Sequence, residues 1–179
     1  MPITNEFQLR VNVWTYKLPP ECKNLFDAYK ITKPFGWAFT IQNYNNTKHL
    51  LVDEGHNLVV DVGMQQIIDL MIATNTNSFT HTSVGSGTNT PTAGDIALQT
   101  EITRIAVPSG GRYRTGLSAA FDTFFATSDG NGTWNETGIH TAAAGGVMLC
   151  RRKFNSAFTK STANTALVAW LVTLAAVAD

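Results

Sequence analysis

The chain has 179 residues, a length that suits one domain with a sizeable core. Its 13 basic residues balance 13 acidic ones, and charged residues make up only 15% of the sequence. Because no net field draws such a chain to phosphates, this balance argues against nucleic acid or an anionic membrane surface as a partner.

The cysteines and the two ends of the chain indicate where the protein is made and whether it inserts into a membrane. Cys22 and Cys150 lie far apart in unrelated contexts, so we expect both to be reduced. The N-terminus lacks the basic start and apolar run of a signal peptide, which predicts synthesis in a cytoplasm. The most apolar stretch, residues 166–178, is shorter than the roughly 20 residues that span a bilayer, so no membrane insertion is expected.

Residues 1–35 read as an irregular N-terminal arm, because prolines interrupt their short apolar pieces. Such an arm would reach a neighbouring subunit, and aromatic and aliphatic anchors dominate interface energy. The candidate interface residues are Val13, Trp14, Leu25 and Phe26. The alternative, a strand and loop of the same domain with these four residues in an ordinary core, stays open.

Residues 36–179 are predicted to form a β-sandwich domain. After an alternating segment at Trp37, Phe39 and Ile41, apolar-rich runs are separated by clusters of Gly, Asn, Ser and Pro. The later runs cover residues 78–85, 101–107, 113–127, 133–140, 146–158 and 165–176. This spacing predicts an all-β fold, an antiparallel β-sandwich or jelly-roll-like domain. The last run is apolar on both faces, which predicts a central strand.

One helix is predicted at about residues 62–73, where the apolar period changes. Met64, Ile67, Ile68 and Met71 follow the i, i+3, i+4, i+7 spacing of one helical face. We expect this helix to pack on the sheet, with Asp61 as its candidate cap.

No catalytic, cofactor-binding or metal-binding residue is predicted. The four histidines, His49, His56, His81 and His140, are scattered. Gly85-Ser-Gly87 is too short for a nucleophile elbow, and Pro91 would obstruct the helix of a dinucleotide site. A Ser-His-Asp triad assembled across the fold stays open as a disfavoured alternative.

Two groups of charged or polar residues can be interpreted in more than one way. Asp129, Asn131 and Glu136 place oxygen ligands close together, but a tight turn is favoured over a calcium site because the EF-hand frame is missing. Glu101 and Arg104 would point to opposite faces of a regular strand, so they meet only through a bulge or a turn, or they pair with other residues or with solvent.

The combined order of motifs resembles a module found in structural proteins of tailed bacteriophages. The resemblance rests on VGSGTNTPTAGDIALQTEITR at 84–104 and covers roughly residues 50–175. The supporting motifs are NLVVDVG at 57–63, YRTG at 113–116, residues 121–127, DGNGTWNETG at 129–138, MLCRR at 148–152 and STANTALVAWLVTL at 161–174.

The resemblance implies an all-β virion protein without enzymatic activity, located in the tail, tail fibre or baseplate. Its expected partners are copies of itself, as a trimer or hexamer, and neighbouring phage structural proteins.

Three other functions are weighed against this one. A capsid decoration or head-fibre protein would share the same composition. A carbohydrate-binding module would stack host surface glycan on Trp37, Trp134 or Tyr113. A depolymerase is disfavoured because the sequence offers no nucleophile or acid/base constellation.

Overall fold

The computed structural model describes residues 7–24, 27 and 50–176. Within them lie ten strands, one α-helix and a short 3-10 turn at Ser109–Gly111. The elements are β1 Phe7–Leu18, β2 Leu50–His56, β3 Leu58–Val59, α1 Asp61–Met71, β4 His81–Gly85, β5 Glu101–Ala106, β6 Arg112–Thr115, β7 Ser118–Phe125, β8 Gly132–His140, β9 Met148–Lys160 and β10 Thr165–Ala176.

The strands form two five-stranded sheets. Sheet A has the order β2-β1-β10-β7-β6 and sheet B the order β3-β9-β8-β4-β5, and neighbouring strands are antiparallel throughout. The predicted all-β sandwich with one helix is therefore confirmed. No helix in the described part of the chain is long and apolar enough to cross a membrane.

Aromatic side chains fill the space between the sheets. Trp134 of β8 packs edge-to-face against Phe125 of β7 and Phe158 of β9, with ring centroids 5.0 and 5.2 Å apart. Its indole N–H donates to the Gly130 carbonyl at 2.6 Å, so the buried ring has no unpaired polar atom. Trp134 therefore cannot stack on a sugar, because the rings that surround it are part of the core. Trp37 lies outside the described residues.

For residues 7–18 the structure agrees with the alternative, a strand of the same domain, and not with the predicted arm. This segment is β1, which pairs along its whole length with β10 and on its other edge with β2. Val13 is fully buried in the core, whereas Trp14 points to the other face of sheet A and is half-buried. From Asn12 to Lys17, β1 has a strand on each side, so its backbone there is hydrogen-bonded within the domain. Leu25, Phe26 and the predicted boundary at residue 36 lie outside the described residues.

The last strand is central, as its two apolar faces predicted. β10 lies between β1 and β7, and residues 167–170 are fully buried on both faces.

A buried ion pair joins the two sheets near β2. The Arg152 guanidinium of β9 donates to both carboxylate oxygens of Asp53 in β2, at 2.9 and 3.2 Å, and to the His56 carbonyl at 3.0 Å. The bidentate geometry fixes the approach of β2 to β9.

The predicted helix is confirmed as Asp61–Met71, but its buried face is not the one predicted. Gly63 and Gln66 are buried against sheet B, while Met64, Ile68 and Met71 are exposed. Only Ile67 of the predicted apolar face packs on the core, where it is partly buried.

Backbone proximity explains this orientation of the helix. A Cβ atom at Gly63 would lie 2.4 Å from the Leu149 carbonyl oxygen, so only glycine lets the helix approach β9 this closely. On the same side, Gln66 donates to the Asn77 carbonyl at 2.8 Å. Asp61 is the first helical residue, and Val60 occupies the N-cap position without a side-chain hydrogen bond, so the predicted cap is also wrong.

Replacing Val13 by aspartate tests the position of β1. Val13→Asp would bury a carboxylate in the core, and we expect it to lower the free energy of unfolding by more than about 4 kcal/mol. Lys17→Asp, at an exposed position of the same strand, should lower it by less than about 1 kcal/mol. Urea unfolding followed by circular dichroism measures both. Equal, small effects would mean that this segment is a dispensable arm.

Candidate functional site

Sheet B has a polar outer face, on the side away from sheet A. In β4, Thr82 points inward and accepts a 2.7 Å hydrogen bond from Thr123 of sheet A, so Ser83 and Gly85 point outward. Glu136 of β8 lies opposite Gly85 in register. The segment between β4 and β5, which we call the 86–100 loop, lies over this face.

The Glu136 carboxylate holds both ends of the 86–100 loop. One oxygen accepts the backbone N–H groups of Gly87 at 3.0 Å and Thr100 at 2.9 Å. The other accepts the N–H of Gln99 at 3.1 Å and the Arg151 Nε at 2.7 Å. Glu136 is fully buried, so these four donors replace the water that an ionised carboxylate needs.

Arg151 connects Glu136 to the middle of the loop. Its Nη1 donates to Asp95 at 2.7 Å and its Nη2 to the Asn89 carbonyl at 3.3 Å. Partial burial raises the pKa of Asp95, but hydrogen bonds from Arg151 and Thr92 outweigh this and hold the pKa below its usual value. We call Glu136, Arg151 and Asp95 the Glu136 network.

Gly85 and Gly87 allow the 86–100 loop to lie close to the Glu136 network, because neither residue has a Cβ atom. A Cβ at Gly87 would be 2.3 Å from a Glu136 carboxylate oxygen and 2.5 Å from the Gln99 side chain. A Cβ at Gly85 would be 2.5 Å from the Thr100 carbonyl oxygen. Close packing, and not phosphate binding, accounts for this motif.

Glu101 and Arg104 form an ion pair, and a bulge makes it possible. Val84 pairs with Thr103 and Gly85 with Glu101, so Ile102 is an extra residue in β5. The guanidinium contacts the carboxylate at 2.6 and 3.1 Å. Its Nη1 also donates to the carbonyls of residues 142 and 145, at 3.0 and 2.7 Å, and so fixes the loop between β8 and β9.

A serine and a histidine meet beside this ion pair. The Ser83 hydroxyl lies 2.7 Å from Nε2 of His140, and both residues are buried. Burial, with a contribution from Arg104 and His81, lowers the pKa of His140 to about 3. A triad needs a carboxylate that orients the imidazole, whereas here a guanidinium is close enough to disfavour the imidazolium. Substrate cannot reach Ser83 in this arrangement.

The three candidate calcium ligands do not converge. Glu136 belongs to the network described above. The Lys160 amine instead lies at the turn, 3.1 Å from the Asn131 side-chain oxygen and 3.4 Å from the Thr127 carbonyl. Burial lowers the pKa of Lys160, and the Asp129 charge partly offsets that effect. Within the described residues, no cluster of three His, Cys, Asp or Glu side chains could hold a metal ion.

The two cysteines and Tyr113 are at least partly buried. Cys22 and Cys150 are buried free thiols, as predicted, and burial raises the pKa of both. Tyr113, a candidate for stacking on sugar, is half-buried and donates its hydroxyl to Asp122 at 3.0 Å.

Sequence reasoning missed the Glu136 network, although one signal for it exists. Arg151 is the first of three basic residues that follow the apolar start of β9, and a charge within a strand flanked by apolar residues needs a partner. The motifs at 84–104, 129–138 and 148–152 supply the network and the loop it holds, and the Glu101–Arg104 ion pair stands beside them. The site therefore holds a surface loop in one conformation.

Comparisons of the chain with protein-family models, with curated proteins and with solved structures found no match in any of the three.

Two glycines of the 86–100 loop give a matched test of close packing. Gly87→Ala should lower the free energy of unfolding by about 1–3 kcal/mol or more, because the added methyl group displaces Glu136 or Gln99. Gly94→Ala, at a position with no atom within 4 Å of the added Cβ, should change it by less than about 1 kcal/mol. Hydrogen exchange at the Thr100 amide should accelerate only in the first variant. Equal behaviour of the two variants would contradict the role of the network.

Stability should fall with acidification because His140 is buried in its neutral form. Its pKa is about 3 in the folded chain against an ordinary 6.5, so the unfolded chain binds a proton first. Lowering the pH from 7 to 5 should therefore remove about 2 kcal/mol, and the loss should continue toward pH 3. His140→Gln should reduce this pH dependence in urea titrations, whereas His56→Gln, at an exposed histidine, should retain it. An unchanged pH dependence in His140→Gln would exclude His140 as its source.

Proposed function

We propose that this chain is a structural component of a tailed-bacteriophage particle, located in the tail, tail fibre or baseplate, and that it acts through protein–protein contacts. The observation that carries the proposal is that residues of the motifs at 84–104, 129–138 and 148–152 have a structural role. Gly87, Asp95, Glu136 and Arg151, from three separate motifs, hold a loop on a sheet.

The physical properties of the chain support a passive building block. Two sheets joined by a buried bidentate ion pair and an aromatic core form a stiff body. The balanced charge of 13 basic and 13 acidic residues avoids repulsion between many copies in one particle. Exposed apolar side chains remain on the helix and at one hairpin end, where they are available for contacts with other subunits.

A carbohydrate-binding role receives less support than it had from sequence. Of its three candidate aromatic residues, Trp134 is in the core and Tyr113 is held by Asp122. Stacking on a sugar needs an open aromatic face, and neither residue offers one that stands clear of the domain.

Gold-labelled antibodies against the chain, applied to virions of the phage that encodes it, test the proposal. We expect gold at the tail, and we expect peptides of the chain in the digest of purified virions. Antibody preabsorbed with the purified chain serves as the control. Gold on the heads would overturn the tail location in favour of a decoration protein. Virions without gold and without peptides of the chain would overturn the structural role.

A further inference from the structure

The helix carries a continuous apolar surface that no described residue covers. Met64, Ile68, Met71 and Ile72 follow one another at i, i+4, i+7 and i+8, and they are 41%, 53%, 80% and 63% exposed. Single exposed apolar residues are ordinary, but a contiguous row marks a contact surface. We call these four residues the helix patch.

The charged side chains of the helix itself are acidic. Asp61 and Asp69 lie on the same helix, and the sequence from residue 50 to residue 103 contains no lysine or arginine. The Asp69 carboxylate accepts only the Thr74 hydroxyl, at 3.0 Å, among the described contacts. In the part of the chain that the structure describes, neither aspartate belongs to an ion pair.

A second apolar surface of opposite charge lies at the end of sheet A. Leu117, in the turn between β6 and β7, is 75% exposed, and Leu174 beside it is 54% exposed. The Leu174 N–H donates to the Leu117 carbonyl at 3.1 Å, which holds the two residues together. Arg114 of β6, three residues before Leu117, is exposed, and so is Arg112, two residues further along the strand on the same face. We call these four residues the hairpin patch.

The strand register places the side chains of Arg114 and Leu174 on the same face of sheet A. Arg114 lies opposite Ala119, which lies opposite Val172, so Arg114 and Leu174 project from the same side of sheet A. The Arg114 guanidinium donates to the Gly116 carbonyl at 3.0 Å. No described ion pair includes either arginine of the hairpin patch.

We propose that the helix patch of one copy binds the hairpin patch of a second copy, so that subunits associate head to tail. The two patches match in apolar character and are opposite in charge. Pairing of two helix patches would instead bring Asp61 and Asp69 of both copies together, and like charges across an interface disfavour association. This inference rests on the proposed structural function and names the surfaces through which it acts.

A head-to-tail contact has a geometric consequence. Because each subunit uses two different surfaces, every added copy leaves one free patch at each end of the assembly. The assembly therefore grows into a closed ring or an open filament and does not stop at a symmetric dimer.

Complementation of two variants separates this arrangement from the others. A helix variant, Met71→Ser with Ile72→Ser, lacks one patch, and a hairpin variant, Arg114→Glu with Leu117→Ser, lacks the other. In sedimentation velocity we expect the wild-type chain to form assemblies larger than dimers and each variant alone to remain monomeric. An equimolar mixture should form one-to-one dimers and nothing larger, because each partner supplies one intact patch.

Ile96→Ser is the matched control, since Ile96 is 70% exposed and lies outside both patches. It should assemble as the wild type does, and circular dichroism verifies that each variant is folded. Dimers formed by the hairpin variant alone would overturn the proposal in favour of helix-to-helix pairing. A wild-type chain that stays monomeric at millimolar concentration would overturn it as well.

Charge exchange gives an independent measurement. Asp69→Arg and Arg114→Asp should each weaken assembly. Their mixture should restore assemblies larger than dimers, because the reversed charges face each other at one contact and the original charges at the next. Failure of this inference is distinguishable from failure of the proposed function. Virions that carry gold on the tail alongside a monomeric purified chain would reject the head-to-tail contact alone. Assemblies of the purified chain without gold on virions would reject the particle location alone.

Discussion

The buried carboxylate of Glu136 is the constraint on which the outer half of the structure depends. An ionised carboxylate removed from water is tolerated only where hydrogen-bond donors replace its hydration. Here three backbone N–H groups from the two ends of the 86–100 loop and one guanidinium N–H supply them. Release of the loop would remove three of these four donors from the carboxylate, so the charge of Glu136 holds the two ends of the loop on the sheet.

The same requirement explains why groups associated with catalysis are found in structural roles. Ser83 and His140 hydrogen-bond beneath the surface, and Lys160 caps a turn that resembled a cation site in sequence. In each case a polar group is buried with its partner, which is the usual way a sandwich accommodates polar residues in its strands. These polar groups are thus paired within the domain, while apolar side chains of the helix and of one hairpin are exposed.

Local patterns in the sequence predicted much of the fold. Alternation identified the strands, the change of period located the helix to within about two residues, and a doubly apolar run identified β10 as central. The Glu101–Arg104 pair was predicted to meet only through a bulge or a turn, and a bulge is present. Two predictions concern placement in the tertiary structure. The arm at residues 1–35 had a strand of the same domain as its open alternative, and β1 fits that alternative, while the helix was assigned the wrong buried face.

The sequence by itself determined the helix Asp61–Met71 and most of the strands, because these depend on side chains two to four residues apart. The tertiary structure alone decided which residues face each other. Glu136 reaches a backbone N–H 49 residues away in sequence, and Arg152 reaches a carboxylate 99 residues away. Such pairings follow from the order of strands in the sheets and from close backbone approaches, as at Gly63 and Gly87, and no local period encodes either.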